Sequence, residues 1–173
     1  MRRHNKLGAF CLVIGLMGAV QAAEDPVDSY FRGQELSLDI FGNYALGEST
    51  LEDLDRDNIK DGRLGVGLGA NYFVTRNFGF GVDGYLGDFD DIMDHLSVSV
   101  IARYPFDVPG IAPYVFGGGG RQWDPATQYT GHLGAGFEVR WSPNMGFFSD
   151  ARFVWADKTD EFGLVRWGLR FAF

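Results

Sequence analysis

The stretch from Gly163 to Phe173 alternates with a strict period of two. Val165, Trp167, Leu169, Phe171 and Phe173 fall on one side, and Leu164, Arg166, Gly168, Arg170 and Ala172 on the other. A helix would carry the two arginines and the large apolar groups around its circumference, whereas a strand separates them onto opposite faces. One face is wholly apolar and the other carries Arg and Gly, which suits a wall between hydrocarbon and a polar interior. A single strand of this kind cannot stand alone in lipid. Its backbone groups must be paired on both edges, which in lipid demands a closed barrel.

The rest of the chain supplies the partners. Seven further alternating segments precede the last one. Leu36, Leu38, Ile40, Tyr44 and Leu46 oppose Asp39 and Asn43. Leu64, Val66, Leu68, Ala70 and Tyr72 oppose Gly65, Gly67, Gly69 and Asn71. Phe78, Phe80, Val82 and Leu86 oppose Gly79, Gly81 and Asp83. Leu96, Val98, Val100, Ala102 and Tyr104 oppose Ser97, Ser99 and Arg103. A fifth segment, residues 112–120, takes Tyr114 and Phe116 into four consecutive glycines. The sixth sets Leu133, Ala135, Phe137, Val139 and Trp141 against Gly134, Gly136, Glu138 and Arg140. The seventh sets Phe147, Ala151, Phe153 and Trp155 against Asp150 and Arg152. Most segments run 9–12 residues, the length a tilted strand needs to cross a bilayer core.

Connections alternate between short (residues 74–77, 105–111 and 142–145) and longer polar ones (48–62, 88–94, 121–130 and 156–161). Short turns on the periplasmic side and long loops outside would place both termini in the periplasm. Aromatic residues gather at segment ends. Tyr72, Phe78, Tyr104, Tyr114, Trp141, Phe147 and Phe173 form one belt, and Tyr44, Trp123, Tyr129, Trp155 and Phe162 the other. Amphipathic rings favour the two membrane interfaces.

The amino terminus fits the same location. Arg2, Arg3 and Lys6 precede an apolar run from Leu7 to Val20, and Val20-Gln21-Ala22 offers small residues for cleavage. Residues 1–22 therefore read as a secretory signal peptide, 23–35 as a short periplasmic lead-in, and 36–173 as the barrel. Cys11 is the sole cysteine and leaves with the signal, which removes thiol and disulfide chemistry. Signal removal also takes away basic residues, so a chain already at a formal −8 becomes more acidic. That balance argues against nucleic-acid partners.

The whole mature chain resembles the small eight-stranded outer-membrane β-barrels of the OmpA transmembrane-domain and opacity-protein type. The resemblance implies an all-β, antiparallel, up-and-down transmembrane barrel. It also implies that the terminal strand, through Val165, Trp167, Leu169, Phe171 and Phe173, is read by the barrel assembly machinery. Expected partners are outer-membrane lipid and lipopolysaccharide, and the expected state is a monomer. The family spans structural barrels, adhesins, small pores and a few enzymes. The peptidoglycan-binding domain that follows the barrel in OmpA has no counterpart in this sequence.

The inward face carries Asp39, Asp83, Glu138 and Asp150 with Arg103, Arg140, Arg152, Arg166 and Arg170. An eight-stranded barrel is just wide enough for its own side chains, so these charges are expected to pair as a polar plug. The competing reading is a narrow gated pore whose ion pairs exchange partners. Asp53, Asp55 and Asp57 have the spacing of the first ligands of a calcium loop, but Asn58 and Leu64 stand where Gly and Glu are required. The loop reads as a solvated acidic surface, joined by Asp88, Asp90, Asp91 and Asp94. His95 with Ser97, and Glu138 as the acid, are the residues a rim hydrolase would have to use. Gly117 to Gly120 lacks the Lys and following helix of a phosphate loop. No cofactor, metal or enzymatic activity is expected. A soluble carrier would want the reverse polarity, with an apolar interior and a charged exterior.

Overall fold

A computed structural model describes residues 29–47, 63–86, 95–108, 110–123, 127–157 and 161–173. The signal segment and the acidic stretches at 52–61 and 88–94 lie outside the described residues. Eight strands follow one another: β1 (Glu35–Gly47), β2 (Arg63–Phe73), β3 (Phe78–Leu86), β4 (His95–Arg103), β5 (Ile111–Gln122), β6 (Gln128–Ser142), β7 (Met145–Ala156) and β8 (Phe162–Ala172). Each pairs antiparallel with its sequence neighbours, and β1 pairs with β8 to close the barrel. Closure leaves no strand edge unpaired, which satisfies the backbone without water.

Short turns define one end of the barrel, the turn end. Thr75 caps the β2–β3 turn, its hydroxyl accepting from the Asn77 and Phe78 amides (3.3 and 3.0 Å). Pro143 and Asn144 make the β6–β7 turn, and the Asn144 amide donates to the Ala172 carbonyl (2.8 Å), tying that turn to the last strand. Between β4 and β5, Pro105 cannot donate to a ladder. The chain instead folds through an isolated Phe106–Ile111 bridge and turns at Gly110, whose φ of 80° only glycine adopts readily.

Two segments are longer than their sequence pattern predicts. β5 runs on to Gln122 and β6 begins at Gln128, so the glycine run is ladder and only residues 123–127 connect the two strands. The glycines have a steric reason to be there. A Cβ at Gly118 or Gly120 would strike the β4 backbone. Inside the barrel, glycines face aromatic rings. Phe41 lies in register between Gly67 and Gly168, and Phe116 opposite Gly134. A side chain at Gly67 or Gly134 would enter the facing ring. Large rings fit this narrow interior because their neighbours are absent.

Apart from Arg121 on β5 and Ser149 on β7, the outward face is apolar, with Leu, Val, Ile, Phe, Tyr and Trp exposed. Among the described residues no helix is long and apolar enough to span a membrane, and strands take that role here. Two belt expectations need correction. Tyr114 points inward, buried, with its hydroxyl on Asp150 (2.8 Å), because strand β5 places 112, 114 and 116 on the lumen side. Phe162 packs against the inner cluster of Phe41, Tyr85, Phe148 and Leu164.

Candidate functional site

The lumen holds the chemistry. Strand parity sends Asp39, Asp83, Arg103, Glu138, Arg140, Asp150, Arg152, Arg166 and Arg170 inward, and all nine are buried. They form two separate networks.

The first network occupies the turn half. Its hub is Glu35, 1% exposed. Arg140 donates to both of its oxygens (2.7 and 2.7 Å), and Arg103 Nη1 donates to Oε1 (3.0 Å). Arg140 Nε also donates to Glu138. Glu138 accepts from Arg170 (2.7 Å), and Arg170 forks onto Asp39 (2.7 and 2.7 Å). Asp39 and Arg170 sit opposite each other in the β1–β8 register, so this bidentate pair spans the closing seam. The second network lies toward the loop end. Arg166 forks onto Asp150 (2.8 and 2.8 Å) and reaches Asp83 (3.3 Å), and Arg152 forks onto Asp83 (3.2 and 3.1 Å). Paired planar forks are the strong form of such contacts. Each network is neutral, three acids with three arginines in the first and two with two in the second.

Glu35 lies in the stretch that the sequence assigns to the lead-in, yet it begins β1 and faces the lumen. The signal was present. Five inward arginines faced four inward acids, and residue 35 shares the parity of Asp39. The lead-in itself is also part of the barrel's contents. Phe31, 0% exposed, sits against the guanidinium carbons of Arg140 (4.6 Å) and Arg103 (5.2 Å). Arg103 donates to the Arg32 carbonyl (2.8 Å) and Arg140 to the Tyr30 carbonyl (2.5 Å). Gln34, at a φ of 54°, turns this strap from the mouth into β1. The Ser29 hydroxyl donates to Asp107 (2.6 Å), which also pairs with Arg76. Partial burial opposes ionisation of Asp107, but the Ser29 and Arg76 hydrogen bonds outweigh it and hold the carboxyl below its ordinary value.

Between the two networks a residual cavity of about 10 Å³ is bounded by Asp39, Asn71, Asp83, Tyr114, Arg166 and Arg170. That is barely room for one water.

No protein-family profile and no curated protein sequence matches the chain. Solved structures do. The N-terminal β-barrel domain of Pseudomonas aeruginosa OprF aligns with a TM-score of 0.62 at 17% identity, covering 82% of this chain and 99% of that one. The chain has the fold of the small transmembrane β-barrels. OprG of Pseudomonas aeruginosa aligns at 0.55 and 9% identity over 84% of this chain and 99% of that one. Ail, the attachment invasion locus protein of Yersinia pestis, aligns at 0.53 and 13% over 82% and 99%.

Within that fold the remaining sequence candidates fall as follows. Val165, Trp167, Leu169 and Phe171 line the outward face of β8, and the amide of Phe173 donates to the Leu36 carbonyl across the seam (2.8 Å). His95 does not meet Ser97. Its Nε2 lies 2.8 Å from Thr130 Oγ1, while Ser97 accepts from Arg152 (3.3 Å) and Ser99 lies 2.9 Å from His132 Nε2. The Nδ1 atoms of both histidines lack a hydrogen-bond partner among the described residues, so no carboxylate orients either ring. Glu138 is in the other network. Among the described residues no cluster of acidic, His or Cys side chains could hold a metal, and the calcium-like spacing at Asp53, Asp55 and Asp57 lies outside them.

Proposed function

We propose that this chain is a closed structural barrel of the bacterial outer membrane that presents acidic loops to the exterior. One observation carries the reading: among the described residues two neutral ion-pair networks and the Phe31 strap occupy the lumen, and the cavity between the networks is about 10 Å³. A hydrated ion needs a continuous path many times that size. Opening one requires separating buried charge pairs, each separation costing about 3–5 kcal/mol. In this reading the signal is cleaved after Ala22, the outward face of β8 with Phe173 is the assembly signal, and the long loops make the barrel's contacts outside the cell.

The test is single-channel recording of the refolded protein in planar bilayers. The closed reading expects a flat baseline at voltages where general porins conduct. Reproducible unit steps that disappear when Arg170 and Asp39 are replaced together by Met and Leu would instead establish a gated pore.

A further inference from the structure

The lipid-facing wall is uncharged with one exception. Along the outward faces of all eight strands the described side chains are apolar, aromatic, glycine or the small hydroxyl of Ser149, until Arg121 near the loop end of β5. No acidic group among the described residues pairs with it, and its guanidinium carbon lies 5.7 Å from the Trp123 ring centre. In register it stands beside Leu96 of β4 and Tyr129 of β6. Tyr129 is 70% exposed.

The surface below Arg121 is recessed. Gly119 and Gly131 face each other across β5 and β6. A Cβ at Gly119 would meet only the Thr130 carbonyl, at 3.1 Å, so nothing fills the space above it. The Trp155 indole packs over Gly131 and walls the recess on one side. Besides Tyr44 on β1, the described outward aromatics at this end gather here: Trp123 just after β5, Tyr129 on β6 and Trp155 on β7. The loop ends of β2, β3 and β4 carry Leu64, Leu86 and Leu96 instead.

A guanidinium on a lipid-facing wall is tolerated near the interface, where the penalty falls to about 0–1 kcal/mol, and its planar donors match a phosphate. Flat indole and phenol faces beside it suit sugar rings. The recess below suits an acyl chain. We propose that Arg121, flanked by Trp123 and Tyr129, binds a phosphate of the outer-leaflet glycolipid lipid A, one acyl chain lying over Gly119 along the edge of the Trp155 indole. The proposal rests on the outer-membrane placement argued above, with the long loops outward.

The experiment is native mass spectrometry of the folded full chain in detergent, titrated with diphosphoryl lipid A. Wild type is expected to retain the lipid, and Arg121→Leu to weaken binding about fivefold, the change expected for one Arg near an anionic lipid surface. Arg121→Lys should fall between them. Dephosphorylated lipid A should bind wild type no better than diphosphoryl lipid A binds the leucine variant, and excess inorganic phosphate should not compete. Leucine matches the surrounding wall, so the variant should fold, as a boiling-dependent gel shift will show. Should it not fold, Arg121→Gln provides the same comparison. Equal lipid A binding by wild type and Arg121→Leu overturns the proposal, as does equal displacement by phosphatidylglycerol or free phosphate. A chain without any gel shift defeats the membrane placement itself. Channel steps in a chain that still binds lipid A defeat only the closed-lumen reading.

Discussion

Replacing Glu35 by Gln is the sharpest challenge to the charge architecture. The substitution keeps the volume and removes one negative charge from between two guanidinium groups. Arg140 retains Glu138, but Arg103 has no other carboxylate within hydrogen-bonding reach among the described residues. Arg103 also lies over the Phe73 ring at 3.6 Å, with 3% of its surface exposed. Three charge-assisted contacts of 2.7, 2.7 and 3.0 Å are weakened at once. Each is worth about 1.5–3 kcal/mol when intact. The carbonyls of Arg32 and Arg76 still accept from Arg103 (2.8 and 2.7 Å) and soften the loss. The net penalty is therefore expected near 3–4 kcal/mol, within the range for breaking a buried pair from one side. Urea titration of the refolded protein in lipid vesicles, followed by tryptophan fluorescence, reads it as a shift in midpoint. Adding Arg103→Met to Glu35→Gln should recover at least half the loss, since the stranded charge is then gone. A single variant within about 0.5 kcal/mol of wild type would falsify the claim that Glu35 is the hub.

Two further outcomes follow from the same geometry. Asp107 has its carboxyl held low, so the stability it lends the docked strap is complete above the ordinary Asp value of about 3.9 and is lost as pH falls through the lower folded value. Hydrogen exchange at the Phe31 amide should therefore accelerate in acid, and Asp107→Asn should show fast exchange at neutral pH; an amide indifferent to both changes refutes the docking contact. Gly134→Val would drive a side chain into the Phe116 ring and the Ala151 carbonyl. Overpacking of this kind costs about 1–3 kcal/mol or more. The folded gel band should therefore diminish, and Phe116→Ala in the same chain should restore it only in part, because the Ala151 carbonyl still crowds the new side chain; unchanged folding yield in the single variant would contradict the tight fit.

How far the residues themselves reveal this molecule depends on which face they occupy. Outward positions such as those of β8 are legible, because lipid imposes one rule, apolar at every second residue, and nothing competes with it. Inward positions obey a different rule, volume. Tyr114 looks like a belt residue by its place near a strand end, yet it fills the lumen and donates to Asp150. Phe162 is displaced from the belt for the same reason. The fifth segment already takes in the four glycines, but its continuation to Gln122 has no apolar alternation to announce it, and the reason for Gly118 and Gly120 lies in the opposing β4 backbone. Glu35 was within reach of charge counting alone. Phe31 was not, since nothing local in a strap without periodicity announces that its ring will lie against two arginines drawn from β4 and β6.

The pairing of Asp39 with Arg170 also bears on how the cylinder is finished. The first and last strands are the most distant pair in the chain, and hydrogen bonds alone would accept several alignments. Sliding β8 by one residue turns its arginines out into hydrocarbon. Sliding it by two keeps the faces correct but sets Arg170 opposite Ser37 or Phe41, and leaves Asp39 facing Gly168 or Ala172. Both slips strand charge where water cannot reach. The seam thus discriminates against its own near misses, and an ion pair that adds little net stability makes the correct closure the one that lasts.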